Sequence, residues 1–65
     1  MLRIDTLSYD DYDKVVRFLL EHHVPIKDRN KVQMFVVVEM SDELANQMRS
    51  EVGFDEEVII ATETN

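Results

Sequence analysis

The densest apolar run of the chain, Lys31 to Met40 (KVQMFVVVEM), is rich in β-branched valine and predicts a strand at the centre of a sheet. Side chains alternate along a strand, so Val32, Met34, Val36 and Val38 fall on one face and Lys31, Gln33, Phe35, Val37 and Glu39 on the other. The first face calls for cover by helices. The second is mixed, with Phe35 and Val37 at its middle. Near the start of the chain, Leu2 to Thr6 alternate in the same way, setting Leu2, Ile4 and Thr6 against Arg3, Asp5 and Leu7, and predict a half-buried strand.

Between these stretches the apolar period lengthens to that of a helix. Tyr12, Val15, Val16, Leu19 and Leu20 recur at the spacing of one buried helical face, with Phe18 at its edge. Ser8-Tyr9-Asp10-Asp11 has the Ser-x-x-acid pattern of a helix start, and Asp10, Asp11 and Asp13 sit where the helix dipole favours negative charge. The helix must stop before Pro25, which lacks a donor and holds Val24 extended. Val24-Pro25-Ile26 therefore suits an edge strand, and the polar Lys27-Asp28-Arg29-Asn30 reads as a hairpin tip leading into the central strand.

Past Met40, Ser41 serves as an N-cap with Asp42 and Glu43 in the first turn of a second helix. Leu44, Ala45, Met48 and Val52 form its apolar stripe, and Gly53, the only glycine, stands where a left-handed C-terminal cap would be placed. Glu56 to Glu63 predicts a last strand around Val58-Ile59-Ile60-Ala61, followed by a polar tail, Thr62 to Asn65.

The resulting order, βαββαβ, predicts an α+β ferredoxin-like domain: a four-stranded antiparallel sheet with two helices on one face. Pro25 and the glutamates around the last strand then lie on edges, which such groups protect from aggregation. The alternative, βαβαβ with a three-stranded sheet, follows if Val24 to Ile26 is only a loop. It would leave too much of its second face exposed. No repeat, linker or composition shift divides the chain, so residues 1–65 are expected to form a single domain.

Charge narrows the function more than any motif does. Fourteen acidic against seven basic side chains give a net charge of −7, which repels phosphate backbones and anionic lipids and favours basic partners. With no cysteine, disulfides and thiolate metal sites are excluded, and no apolar run is long enough to span a bilayer. MLRIDTLSYDD also lacks the features of a secretory signal, so a cytoplasmic protein is expected.

Candidate chemistry is sparse. Glu21-His22-His23 places its histidines about 100° apart on a helix with no further ligand to complete a metal set, and their position at a helix C-terminus accounts for them. The Asp10, Asp11 and Asp13 spacing does not match a calcium loop. No nucleophile motif or glycine-rich phosphate loop is present, so no enzymatic activity and no cofactor or metal is expected. The Cys-x-x-Cys of heavy-metal-binding domains is missing, as are the basic, aromatic strands of RNA-recognition modules.

What remains is the sheet face away from the helices. There Phe35 and Val37 would join Leu7, Ile59 and Ala61 in an apolar patch rimmed by charge, a pattern that marks protein contacts unless a long side chain covers it. The fold would also gather Asp10, Asp11, Asp13, Glu51, Asp55, Glu56 and Glu57 at one corner. The expectation is a small binding module, a regulator or inhibitor of a larger protein with a basic surface, with nucleic-acid-binding proteins, which acid can mislead, among the candidates. The expected contact residues are Leu7, Asp11, Phe35, Val37, Asp55, Glu56, Glu57 and Ile59. Small size and acidity suit a phage accessory protein or a bacterial regulatory subunit equally well. The alternative is a homodimer that pairs its open faces and is structural or holds a small ligand between subunits.

Overall fold

In the computed structural model, which describes residues 1–63, the chain runs β1 (Leu2–Asp5), α1 (Tyr9–Glu21), β2 (Ile26–Asn30), β3 (Phe35–Val38), α2 (Asp42–Glu51) and β4 (Ile59–Thr62). All neighbouring strands are antiparallel, in the order β2-β3-β1-β4. This is the ferredoxin-like βαββαβ arrangement, with β2 paired to β3 where the three-stranded alternative would have had a loop. No helix among the described residues is long and apolar enough to cross a membrane.

One face of the sheet makes the core. Leu2, Ile4, Val36 and Val38 pack against Tyr12, Val15, Phe18 and Leu19 of α1 and Ala45 and Met48 of α2. Ile4, Leu19 and Met48 are fully buried, each burial worth about 1.5–3 kcal/mol. The buried stripe of α1 is turned from the expected one: Phe18 is inside, Val16 is only half-buried and Leu20 is exposed. Its centre is Val15, flanked by Asp11 and Phe18 on one side and Tyr12 and Leu19 on the other. Asp11, being polar, gives no sign of its burial in an apolar periodicity.

The β2–β3 hairpin also differs from expectation. Lys27 to Asn30 belongs to β2, and the tip is Lys31 to Met34. Asn30 Oδ1 accepts from Gln33 N–H at 2.9 Å, and Met34 adopts φ 60°, which together turn the chain. Pairing of β2 with β3 ends at Asn30 and Phe35, and of the residues between them only Met34 still bonds to the first strand's side, its carbonyl accepting from Thr6 N–H, so Val32 lies exposed in the turn. Pro25 stands just before β2, where its carbonyl accepts from Glu39 N–H.

The helix ends exchange the roles that composition suggested. No glycine has positive φ, and α2 ends at Val52 in an extended conformation, so Gly53 is not a left-handed cap. That conformation is instead taken by His23 (φ 54°) after α1. Val24 N–H reaches Leu19 C=O and His23 N–H reaches Leu20 C=O, the paired bonds of a Schellman motif, with Val24 and Leu19 both in the core. A side chain at this φ is strained and the His23 side chain is exposed. His23→Gly is therefore expected to raise stability by about 0.5–1 kcal/mol in urea denaturation, and His23→Val to lower it.

Strand β4 ends at Thr62, and Glu63 N–H donates to Met1 C=O. The remainder of the expected polar tail, Thr64 and Asn65, lies outside the described residues.

Candidate interaction surface

The start of α1 is built around its capping residues. Ser8 Oγ accepts from Asp11 N–H at 3.1 Å, as the Ser-x-x-acid pattern requires. The Asp11 carboxylate does not complete the box. It accepts instead from the backbone N–H groups of Asp55 and Glu56, both at 2.9 Å, and so ties the segment before β4 to the first turn of α1. Lys14, one turn on, lies 3.6 Å from Asp11, donates to the Gly53 carbonyl at 2.8 Å and sits 3.5 Å from Asp55 Oδ2. Burial disfavours the charge on Asp11, but the two backbone donors and Lys14 outweigh it and hold the carboxyl below its ordinary pKa.

Asp11 is wholly inaccessible, so it is not a contact residue as the sequence suggested; it positions the acidic segment. Asp55, Glu56 and Glu57 are exposed on that segment. Asp55 is partly neutralised by Lys14, while no ion pair among the described residues includes Glu56 or Glu57. Asp13, at 3.7 Å from Lys31, belongs to a different pair.

Away from the helices, the sheet carries Asp28 and Asn30 of β2, Phe35 and Val37 of β3, Arg3 and Asp5 of β1, and Ile59 and Ala61 of β4, as the strand registers require. Phe35 and Val37 are only 9% and 8% exposed, although no helix covers them. The Arg3 guanidinium lies over the Phe35 ring, 3.9 Å from its centroid, and is held there by Asp5 at 3.1 and 3.3 Å. The hydrogen bonds that Arg3 donates to Asp5 raise the Arg3 pKa most; partial burial opposes this, and the charges of Asp5, Glu63 and Asp28 add to the rise. Val37 stands between Arg3 and Asp28 in the register.

The contiguous apolar patch expected on this face is thus closed at its middle. Its accessible part is the β4 side, where Ile59 is 49% exposed and Ala61 is exposed. Leu7, 60% exposed, follows β1 at the end where Glu57 precedes β4. Leu7, Asp55, Glu56, Glu57 and Ile59 therefore share one end of the β1–β4 pair, with Asp11 beneath them and Phe35 and Val37 further in.

Two residues that organise this surface, Arg3 and Lys14, carried only weak signals in the sequence. Arg3 sits two residues from Asp5 on one strand face, and Lys14 three residues after Asp11 on one helix face; both spacings bring opposite charges together. The histidines diverge. His22 stacks on Phe18 at 3.9 Å and turns Nδ1 to the Phe18 carbonyl, which places the proton on that nitrogen, while His23 caps the helix. Among the described residues no three His, Cys, Asp or Glu side chains converge as a metal site requires. A cleft of about 290 Å³ between the helices is lined by Phe18, His22 and Val52 and by Lys14, Arg17, Glu21 and Glu51, charges of both signs.

Compared with protein-family models, with curated proteins and with solved structures, the chain matches none.

Proposed function

We propose that this protein is a binding module without catalytic activity, a regulator or inhibitor of a larger protein whose contact surface is basic. The observation that carries this reading is the Asp55–Glu57 segment, whose backbone is pinned by a buried carboxylate while Glu56 and Glu57 remain outside any ion pair of the described residues. A fixed cluster of one sign attracts an oppositely charged surface over a long range and raises the association rate. Ile59, beside it, offers apolar area for burial once the surfaces meet.

The test is kinetic and uses a partner purified after affinity capture. Reversing both charges, Glu56→Lys with Glu57→Lys, is expected to slow association about tenfold at low salt and to flatten its dependence on ionic strength. Ile59→Asp, at a half-exposed site, is expected to leave the fold intact and speed dissociation. Rates that ignore salt and all three substitutions would reject the reading. Homodimerisation through the open faces competes with it, but Arg3 and Asp5 occupy the centre of that face and leave little apolar area to pair. Sedimentation at several concentrations separates the two.

A further inference from the structure

The two edges of the sheet are not alike. Edge β2 is guarded: Pro25 precedes it, Lys27, Asp28 and Arg29 fill it, and its register is irregular between Ile26 and Asp28. Edge β4 has no proline, charge or irregularity from Ile59 to Thr62. The bond from Glu63 N–H to Met1 C=O, 2.8 Å long, fixes the parity of its ladder with β1. In an antiparallel pair alternate residues bond inward, so Ile59, Ala61 and Glu63 turn their backbone groups to β1 while Ile60 and Thr62 turn theirs to the free edge.

We infer that this edge accepts an extended segment of the partner as a fifth strand, β-branched in its middle and carrying Lys or Arg at both ends. The inference rests on the reading above and names how the partner docks. Charge selects the occupant. Antiparallel pairing of β4 with a second copy, centred on Ile60 and continued past both ends of the strand, would bring Glu57 opposite Glu63 of the other copy at both ends and on the same face, which is repulsive. A lysine at each end of the added strand turns both repulsions into attractions. The segment's backbone would satisfy the outward groups of Ile60 and Thr62, and its side chains on the open face would lie beside Ile59 and Ala61.

The probe is the heptapeptide Lys-Thr-Val-Thr-Val-Thr-Lys, blocked at both termini, with the same peptide ended by glutamates as control. The lysine peptide is expected to bind the full chain and to slow amide hydrogen exchange at Ile60 and Thr62, with no protection at β2. Thr62→Pro removes one outward donor and leaves the β1 ladder and the core untouched, so the fold should persist while peptide affinity falls about fivefold, as for one lost hydrogen bond. Glu57→Lys with Glu63→Lys should transfer the preference to the glutamate peptide.

Equal affinity for the two peptides, unprotected Ile60 and Thr62 amides in the wild-type complex, or no binding at millimolar peptide would overturn strand addition. Those outcomes leave the docking reading to its own kinetic test. Should Thr62→Pro fail to fold, the exchange measurement on the wild type still decides.

Discussion

Asp11→Ala is expected to lower stability by about 2–4 kcal/mol in urea denaturation, the largest loss for any single polar side chain in this protein. The carboxylate is fully buried and accepts two backbone bonds of 2.9 Å, so its removal strips partners from Asp55 and Glu56 N–H and leaves Lys14 facing a void. A domain of this size has a total stability of roughly 3–10 kcal/mol, so the loss brings the fold close to its limit. Asp11→Asn keeps one acceptor and should lie between alanine and the wild type. The pH dependence isolates the charge. Because the folded pKa is below the ordinary 3.8, the carboxylate's contribution is complete above that value and is lost as pH falls through the lower folded one. Asp11→Asn should therefore show a shallower loss of stability below about pH 4 than the wild type. An unchanged midpoint together with an unchanged acid slope would show that the tie between α1 and the acidic segment carries no weight.

The fold was legible because local patterns and topology agree. Alternating Leu2-Arg3-Ile4-Asp5, the Ser8 and Ser41 caps and the apolar Phe35–Val38 run each point to the elements observed. Hairpin details were not legible, because the start of β3 is set by where its pairing with β2 closes at Asn30 and Phe35, and Val32 looks like a strand residue until that partner turns away. Helix ends misled for a related reason: a lone glycine suggested the left-handed position, but the chain spends that conformation on His23, whose paired backbone bonds and buried Val24 offset the strain. At the surface, periodicity says which face a residue takes but not what lies on top of it. Phe35 and Val37 were rightly placed opposite the core, yet whether the Phe35 ring was open depended on where the Arg3 guanidinium lies. Asp11 shows the same limit for charge, since a first-turn aspartate looks alike whether it meets water or the backbone of a loop more than forty residues away.

Phe35→Ala is expected to cost about 2–3 kcal/mol, whereas Ile59→Ala should cost well under about 1 kcal/mol, although both residues lie on the same sheet face. The Phe35 ring is nearly sealed between its neighbours and the Arg3 guanidinium, so truncation removes buried area and leaves a hole in the middle of the sheet. Ile59 is half in solvent already. A double-mutant cycle separates packing from stacking: Arg3→Ala alone should cost much less than Phe35→Ala, and the coupling of Arg3 with Phe35 should account for most of that loss. Binding should rank these residues in the opposite order. Arg3→Ala uncovers the ring and enlarges the apolar area beside Ile59, so it is expected to hold a docked partner at least as long as the wild type does, while Ile59→Asp releases it. A folded Phe35→Ala variant that loses its partner while Ile59→Asp keeps it would mean that the ring, and not the β4 border, is what the partner touches.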